Sequence, residues 1–320
     1  MTVAKPVIGV IGGSGIYDIE GLSNTRWEGV SSPFGEPSDK LLFGDFENQP
    51  MVFLPRHGRG HKLSPDGVNY RANIDVLKRS GVTDILSLSA VGSLREALAP
   101  GTFVLVDQFI DRTIQRDQSF FGPGLVAHVS MAHPVCARLG SALAVAARSV
   151  DVTVVRGGTY LAMEGPHFSS LAESELYRTW GCDVIGMTNM PEAKLAREAE
   201  ICYATVAMVT DYDCWHPDHD NVTAEMILQH LLANVEIANY PFATIKPNSG
   251  VAYVKIPDVA KEISGKAANP RDGYIANNFR FVPIQVIDVA GLVPGAHEGK
   301  RARACHKFQH FCASKPLQAQ

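Results

Sequence analysis

Residues 7–11 (VIGVI) form a short β-branched run that passes directly into the turn 12–15 (GGSG). This pattern is typical of a buried strand that feeds a glycine-rich turn. Comparable apolar runs occupy 51–54 and 84–88, and another, 204–209, ends at a Thr-Asp pair. We therefore interpret these segments as strands of one sheet.

Helical periodicity separates these runs at 69–80, 134–150 and 192–202, and a fourth helical pattern covers 221–237. Strands alternating with helices predict an α/β fold with a single mixed, mainly parallel sheet flanked by helices. Beyond the fourth helix the chain is rich in proline, and we expect an irregular C-terminal extension with one strand at 281–289. Ligands of such sheets bind beyond the carboxyl ends of the strands.

Composition narrows the class of protein. The chain has 320 residues, of which 46% are hydrophobic, and this excludes disorder throughout. No apolar run reaches the roughly 18 residues that a membrane helix needs, so no membrane association is predicted. Six cysteines at irregular spacing do not form a disulfide scaffold, and we expect reduced thiols and a cytoplasmic location.

The net charge of −4 argues against nucleic-acid binding. Five basic and no acidic residues follow position 299, so the rest of the chain carries 24 basic against 33 acidic residues, or −9. We interpret 301–320 as a disordered basic tail. The spacing of its Cys and His residues matches no standard zinc site, so no metal site is predicted. These residues are Cys305, His306, His310 and Cys312.

Three of the predicted strand ends carry groups suited to an anion. The 12–15 turn offers backbone N–H groups and the Ser14 hydroxyl, although it completes neither of the standard nucleotide-binding loops. Arg56 and His57 follow the second strand, and an arginine fork suits phosphate oxygens. Ser89 and Ala90 follow the third strand. Each feature alone is typical of a structural turn, but together they predict one oxyanion site.

A pair of carboxylates, Asp211 and Asp213, follows the most apolar strand. In an extended segment, residues two apart project to the same side, so both could face one ligand. Paired carboxylates in a partly apolar site can have separated pKa values. The alternative interpretation is a turn or helix cap, which aspartate commonly supplies.

Several longer motifs occur in a fixed order: SPFGEPSD, LPRHGRGH, NYRANI, SAVGSL, DQFIDRT, MEGPHFSS, RTWGCDVIGMTNMPEAKLAREA and VTDYDCW. With these motifs, about residues 5–235 resemble the methylthioadenosine phosphorylase branch of the purine nucleoside phosphorylase family. The resemblance implies a pentosyltransferase that cleaves a 5′-methylthio purine nucleoside with inorganic phosphate, releasing adenine. Phosphate is a co-substrate, and the resemblance implies no cofactor.

The resemblance also implies roles for individual residues. The implied phosphate site contains Ser14, Arg56, His57, Ser89, Ala90 and Thr188. Met187 is implied beneath the ribose, and Phe168 and Ser169 at the purine. Asp211 is implied to protonate or hydrogen-bond N7, and Asp213 to contact the 6-amino group. Because a carboxylate repels a 6-oxo group, the pair favours adenine, with inosine-type or methylthioinosine phosphorolysis as the alternative.

Further implied residues extend the site beyond the base. Ala224, Ile227 and Leu228 match a helix that lines the 5′ pocket, and the small Ala224 leaves room for a methylthio group. His128 matches a residue that the family donates across a subunit boundary. By analogy the resemblance implies a homotrimer.

The chain departs from this family at about residue 236. Residues 236–300 resemble a fragment of an Obg-like GTPase, including the D-x-x-G motif at 288–291. The phosphate loop and the N-K-x-D motif of a GTPase are missing, so we expect no working GTPase. The predicted organisation is a phosphorylase domain at 1–235, a truncated segment at 236–300 and the tail at 301–320. The alternative of another class is an inactive fusion protein with a disrupted C-terminus.

Overall fold

The computed structural model describes residues 6–13, 21–147 and 153–217, together with three strands between residues 248 and 288. By its contacts the chain divides into two compact units, Met1–Ala243 and Thr244–Gln320. Among the described residues the first unit contains a mixed sheet of eleven strands. These strands are β1 (Ile8–Gly12), β2 (Leu22–Glu28), β3 (Leu41–Phe46), β4 (Gln49–Pro55), β5 (Asp84–Ser93), β6 (Phe103–Val106), β7 (Gln108–Arg112), β8 (Val154–Arg156), β9 (Thr159–Met163), β10 (Val184–Gly186) and β11 (Cys202–Asp211).

The centre of this sheet is parallel. Strand β1 lies between β4 and β5, and β11 pairs in parallel with the other edge of β5. Strand β10 is antiparallel to β5, and its far edge pairs in parallel with β9. Central strands that are covered on both faces need apolar residues at successive positions, and β5 and β11 are buried along most of their length. The predicted α/β class with a mainly parallel sheet is confirmed.

The described helices are α1 (Tyr70–Arg79), α2 (Ala137–Ala147), α3 (Leu171–Thr179) and α4 (Asn189–Glu198). Side-chain caps define two of their starts. Asn69 accepts a hydrogen bond from the Ala72 N–H ahead of α1, and Ser170 forms a reciprocal capping box with Glu173 ahead of α3. The helices predicted within 69–80, 134–150 and 192–202 are present with shifted ends, while the one predicted at 221–237 lies outside the described residues.

The two faces of the sheet carry separate apolar clusters. On one face α1 and α4 pack over β1, β5 and β11, with Ile74, Leu77 and Leu195 fully buried. On the other face α2 packs through Leu139 and Leu143. This burial holds the carboxyl ends of the central strands at one edge, where the polar residues gather.

The described strands of the second unit are β12 (Asn248–Pro257), β13 (Tyr274–Ala276) and β14 (Phe279–Asp288), which form an antiparallel sheet in the order β12-β14-β13. The strand predicted at 281–289 corresponds to β14. The extension is thus more regular than expected: β12 and β14 pair over ten positions, with Pro257 at the last position of β12 and Pro283 of β14 opposite Tyr253. The basic tail lies outside the described residues.

The prediction that all thiols are reduced is wrong for one pair. Cys136 and Cys202 form a disulfide with Cα atoms 5.3 Å apart, within the usual range. The backbone N–H of Cys136 donates to the Tyr203 carbonyl at 2.8 Å, so the segment before α2 lies against the start of β11. Cys182 is a buried free thiol as predicted, and Cys214 is a half-buried one. No helix among the described residues is long and apolar enough to span a membrane.

Candidate active site

The carboxyl ends of β4, β1, β5 and β11 meet at one edge of the sheet because these four strands run parallel. The first link between them is a hydrogen bond of 2.8 Å from the Arg56 N–H to the Gly12 carbonyl, which joins the end of β1 to the residue after β4. Gly12, where the glycine turn begins, is therefore adjacent to Arg56. Ser14 lies outside the described residues.

Arg56 is almost completely buried, with 2% of its side chain exposed. Its Nε donates to Glu192 at 2.9 Å, Nη1 to the Leu88 carbonyl at 2.9 Å, and Nη2 to Ser87 at 2.7 Å and Glu192 at 3.1 Å. Burial alone lowers the pKa of Arg56, but the Glu192 carboxylate outweighs it and the pKa is raised. The guanidinium is thus permanently charged and fixed in place, and Glu192 balances its charge.

His57 lies beside this charge and is also buried. Burial, with Arg56 as the next cause, lowers the pKa of His57 to about 4. Its Nδ1 lies 2.9 Å from the Leu63 carbonyl, which can only accept, so Nδ1 carries the hydrogen and Nε2 of the neutral ring is an acceptor. A neutral ring of this tautomer suits a phosphate that carries a proton.

We expect the His57 ring to stay neutral down to about pH 5, because protonation would place a second cation beside Arg56. Comparison with a His57→Gln variant assigns the signal of the His57 Cε1 proton in the NMR spectrum of the unaltered protein. The chemical shift of that signal should not change between pH 7.5 and 5.5. The unfolded chain binds a proton at His57 more tightly than the folded protein does, so His57 lowers the free energy of unfolding as pH falls from about 6.5 to 4. The His57→Gln variant should lack this part of the pH dependence of stability. A titration midpoint near 6.5 would contradict the buried, neutral state.

The sequence predicted that Ser89 and Ala90 follow the third strand, but in the structure both residues lie within β5. The strand continues to Ser93 because it pairs with β11 on one edge and, at its last residues, with β10 on the other. The Ser89 hydroxyl lies 3.1 Å from the Tyr160 hydroxyl, which in turn accepts from the Thr188 N–H at 3.5 Å. Tyr160 thereby connects two residues of the predicted anion site.

Thr188 precedes α4, whose second residue, Met190, has non-helical φ and ψ of −119° and 133°, so regular helical geometry begins at Pro191. Met187 lies between Thr188 and the end of β10, and the Arg116 guanidinium binds its carbonyl and the Met190 carbonyl. Arg116 is buried and also forms an ion pair of 3.1 Å with Glu164. These contacts hold the Met187 segment in place.

The two aspartates of the base site lie close together, but not on one extended segment. Asp211 ends β11, whereas Asp213 has a φ of +54° in the turn that follows. The Asp213 N–H donates to Asp211 Oδ1 at 2.8 Å, and the Thr210 hydroxyl lies 2.6 Å from Asp211 Oδ2. The expectation that a period of two aligns the carboxylates is wrong, because the chain leaves the strand after Asp211, and the alternative of a turn describes the backbone.

Asp213 is 5% exposed, and its Oδ2 has no hydrogen-bond partner of standard geometry within the described part of the chain. Burial raises the pKa of this carboxyl to about 6, the nearby Ser174 hydroxyl lowers it, and the Asp211 carboxylate raises it. Gly92 of β5 makes room for the pair, since a Cβ there would lie 2.8 Å from Asp211 Oδ1. A buried acceptor of this kind suits a ligand that brings its own donor.

The other predicted base contacts are near this turn. The Cys214 thiol, next to Asp213, donates to the Ser169 carbonyl at 3.4 Å, which brings Ser169 to the base side of the edge. Phe168 precedes Ser169, and 43% of its surface is exposed. His128 is exposed in the segment between β7 and α2. Three predicted residues of the 5′ pocket lie outside the described residues: Ala224, Ile227 and Leu228.

Three buried residues of the edge were missed by the sequence interpretation: Tyr160, Glu192 and Arg116. Glu192 lies in an apolar helical stretch, and a charged residue at an inward position of such a stretch was the available signal. The partners of Tyr160 and Arg116 are distant in the sequence and left no local signal. The described residues contain no group of three or more metal-ligand side chains. The Cys and His residues of the tail lie outside them.

The chain is similar to known phosphorylases in sequence and in structure. Residues 7–238 match the model of the phosphorylase superfamily. A protein of Rhodospirillum rubrum named S-methyl-5'-thioadenosine phosphorylase is 67% identical over 234 residues, covering 73% of this chain and 80% of that protein. A metagenomic methylthioadenosine phosphorylase from antarctic soil has a TM-score of 0.71 at 49% identity, covering 74% and 84%. A Schistosoma mansoni variant solved with methylthioadenosine has a TM-score of 0.67 at 37% identity, covering 74% and 89%.

Proposed function

The chain belongs to the phosphorylase superfamily, and from this premise we propose that it catalyses the reversible phosphorolysis of S-methyl-5'-thioadenosine to adenine and 5-methylthio-ribose 1-phosphate. The observation that carries the choice of substrate is the buried Oδ2 of Asp213, which has no hydrogen-bond partner of standard geometry among the described residues. A carboxylate accepts from the 6-amino group of adenine and repels a 6-oxo group. The activity is that of a pentosyltransferase in purine and methionine salvage.

Phosphate is the nucleophile in this reaction. One of its oxygens bonds to C1′ while the bond from C1′ to N9 breaks, and the electron pair leaves with the base. Arg56 supplies a fixed positive charge, Nε2 of His57 accepts a hydrogen bond from the phosphate proton, and Thr188 donates through its hydroxyl. Ser89 and Ala90 complete the described part of this half, and Ser14 is proposed to join it from the adjacent turn. Holding phosphate in line with C1′ supplies much of the acceleration.

The base half stabilises the leaving group. Asp211 is proposed to protonate or hydrogen-bond N7 as negative charge develops on the purine, and Asp213 holds the 6-amino group. Phe168 and Ser169 contact the ring and Met187 lies beneath the ribose. We extend the proposal to a 5′ pocket lined by Ala224, Ile227 and Leu228.

We propose that the chain is a homotrimer in which His128 completes the site of a neighbouring copy. Large exposed apolar side chains occur between residues 114 and 129, around His128, and on α3, and exposed apolar side chains of this size are typical of subunit interfaces. They are Ile114, Leu125, Val126, Val129, Leu171, Leu176 and Trp180.

The remaining proposals concern the setting of the enzyme. It is proposed to act in the cytoplasm on small molecules, with phosphate as co-substrate and no cofactor. We retain the proposed division into a phosphorylase domain at 1–235, a truncated segment at 236–300 without GTPase activity and a tail at 301–320.

A side-by-side assay of the full chain tests the function. We expect adenine release from S-methyl-5'-thioadenosine only when phosphate is present, with adenosine weaker and inosine weakest. Buffer without phosphate and without arsenate is the control. A preference for inosine or methylthioinosine would establish the 6-oxopurine alternative instead. Soluble protein that releases no base from any of these substrates would favour the inactive fusion.

A further inference from the structure

The carboxylate of Glu192 accepts four hydrogen bonds beneath the predicted phosphate site. It lies in the first turn of α4 and is 2% exposed. Its Oε2 accepts from Arg56 Nε at 2.9 Å, and its Oε1 accepts from Arg56 Nη2 at 3.1 Å, Ser87 at 2.6 Å and the Tyr203 hydroxyl at 2.8 Å. Two oxygens therefore receive four donors, which fixes the carboxylate in one orientation.

The two hydrogen bonds between the Arg56 guanidinium and the Glu192 carboxylate determine which hydrogen of Arg56 remains for a ligand. Nε and one hydrogen of Nη2 are used by Glu192, the other hydrogen of Nη2 by Ser87, and one hydrogen of Nη1 by the Leu88 carbonyl. Within the described part of the chain, the second Nη1 hydrogen has no protein acceptor. Because the guanidinium is planar, holding the Nε–Nη2 edge also aims Nη1.

Glu192 also connects three segments that carry the phosphate-site residues. Arg56 follows β4, Ser87 lies two positions before Ser89 on β5, and Glu192 belongs to the helix that begins after Thr188. From these contacts we propose that Glu192 is a positioning residue for phosphate. Glu192 does not contact the phosphate itself; it holds the Arg56 guanidinium so that Nη1 points into the phosphate site. The inference rests on the proposed function, because Arg56 is taken there as the phosphate ligand.

Electrostatics alone predicts the opposite effect of removing this carboxylate. Replacing Glu192 by glutamine leaves the buried Arg56 charge uncompensated, and an uncompensated cation attracts an anion more strongly. If Glu192 acts by positioning, phosphate affinity falls instead, because the guanidinium loses the partner that aims it. The sign of the change in phosphate KM therefore separates the two roles.

The experiment is steady-state kinetics of Glu192→Gln with each substrate varied at saturation of the other. We expect the KM for phosphate to rise about 10–100-fold, the loss of one charged hydrogen bond, with the KM for S-methyl-5'-thioadenosine changed less than about threefold. Glu198→Gln, the same chemical change at the other end of α4, is the matched control and should leave the phosphate KM unchanged. Glu192→Asp keeps the charge and should recover part of the affinity.

Several results would overturn the inference. An unchanged or lower phosphate KM in Glu192→Gln contradicts positioning, and so does an equal loss for both substrates with a lower Tm, which indicates a purely structural role. If Glu192→Gln does not fold, Glu192→Asp is measured alone, and a phosphate KM equal to that of the unaltered protein contradicts the proposal. If the unaltered protein releases no base, the proposed function fails, and the inference is then decided by whether phosphate raises its Tm more than that of the variant.

Discussion

Replacement of Asp211 by asparagine is expected to lower kcat for S-methyl-5'-thioadenosine by about 10²–10⁴-fold, the usual contribution of general acid catalysis. Asp211 is buried at the end of β11, and its two oxygens face the Asp213 N–H and the Thr210 hydroxyl. Asparagine has nearly the same shape and can donate a hydrogen bond to N7, but it cannot transfer a proton to it, so the variant tests protonation. The loss should therefore be in the departure of the base and not in folding.

Two readouts distinguish this role from general damage. A nitrophenyl riboside, whose leaving group departs without protonation, should lose much less activity than the purine nucleoside, and the rise in Tm caused by phosphate should be unchanged. Asp117→Asn, the same substitution at an exposed position, is the control. Full activity of Asp211→Asn or Asp211→Ala on S-methyl-5'-thioadenosine would remove Asp211 from the mechanism.

Replacement of Asp213 by asparagine is expected to change both substrate choice and stability. Without a carboxylate to accept from the 6-amino group, kcat/KM for S-methyl-5'-thioadenosine should fall about 10–100-fold, while 5'-methylthioinosine gains an amide donor for its 6-oxo group. The φ of +54° is tolerated by asparagine as well as by aspartate, so the turn should survive.

The Asp213→Asn substitution should raise the stability of the protein, although it lowers kcat/KM for S-methyl-5'-thioadenosine. The pKa of Asp213 is raised from 3.8 to about 6 by burial, so the folded protein holds the proton more tightly than the unfolded chain. The free energy of unfolding therefore falls as pH rises from about 4 to 6, and the penalty is complete at pH 7. At about 1.4 kcal/mol per pKa unit, asparagine should raise the free energy of unfolding at pH 7.5 by on the order of 1–3 kcal/mol.

Denaturant unfolding at pH 4 and pH 7.5 measures this effect, together with kinetics on the two nucleosides. The gain should be absent at pH 4, where the carboxyl is protonated in the folded protein. An unchanged base preference would contradict the role of Asp213 in recognising the 6-amino group. If Asp213→Asn and the unaltered protein had the same free energy of unfolding at pH 7.5 as well as at pH 4, the burial of Asp213 would carry no electrostatic penalty. If both effects occur, the protein gives up stability to keep an acceptor ready for adenine.

Elements whose signals are local were predictable. The run of residues 7–11 with its glycine turn identified β1, and the apolar periodicity of 69–80 identified α1. Arg56 and His57 were placed correctly after a strand for the same reason. Parallel strands bring their carboxyl ends together, so the position of the site followed from the strand order.

Other features depended on strand pairing. The length of β5 was underestimated because its last residues, including Gly92, are small and owe their strand geometry to β10 and β11. The two aspartates were aligned by a period of two, which stops applying once the chain enters the left-handed turn at Asp213. Pairing and turn geometry depend on neighbours that no local window contains.

The sequence by itself determined the α/β class, the edge of the sheet that holds the candidate site and the residue types gathered there, because apolar periodicity, glycine turns and strand polarity are properties of short segments. Only the tertiary structure decided how those residues are tuned. The pair of Arg56 and Glu192 spans 136 positions, and the disulfide of Cys136 and Cys202 spans 66. The raised pKa of Asp213 likewise depends on burial among distant segments. Long-range contact and exclusion of water arise only when the whole chain packs.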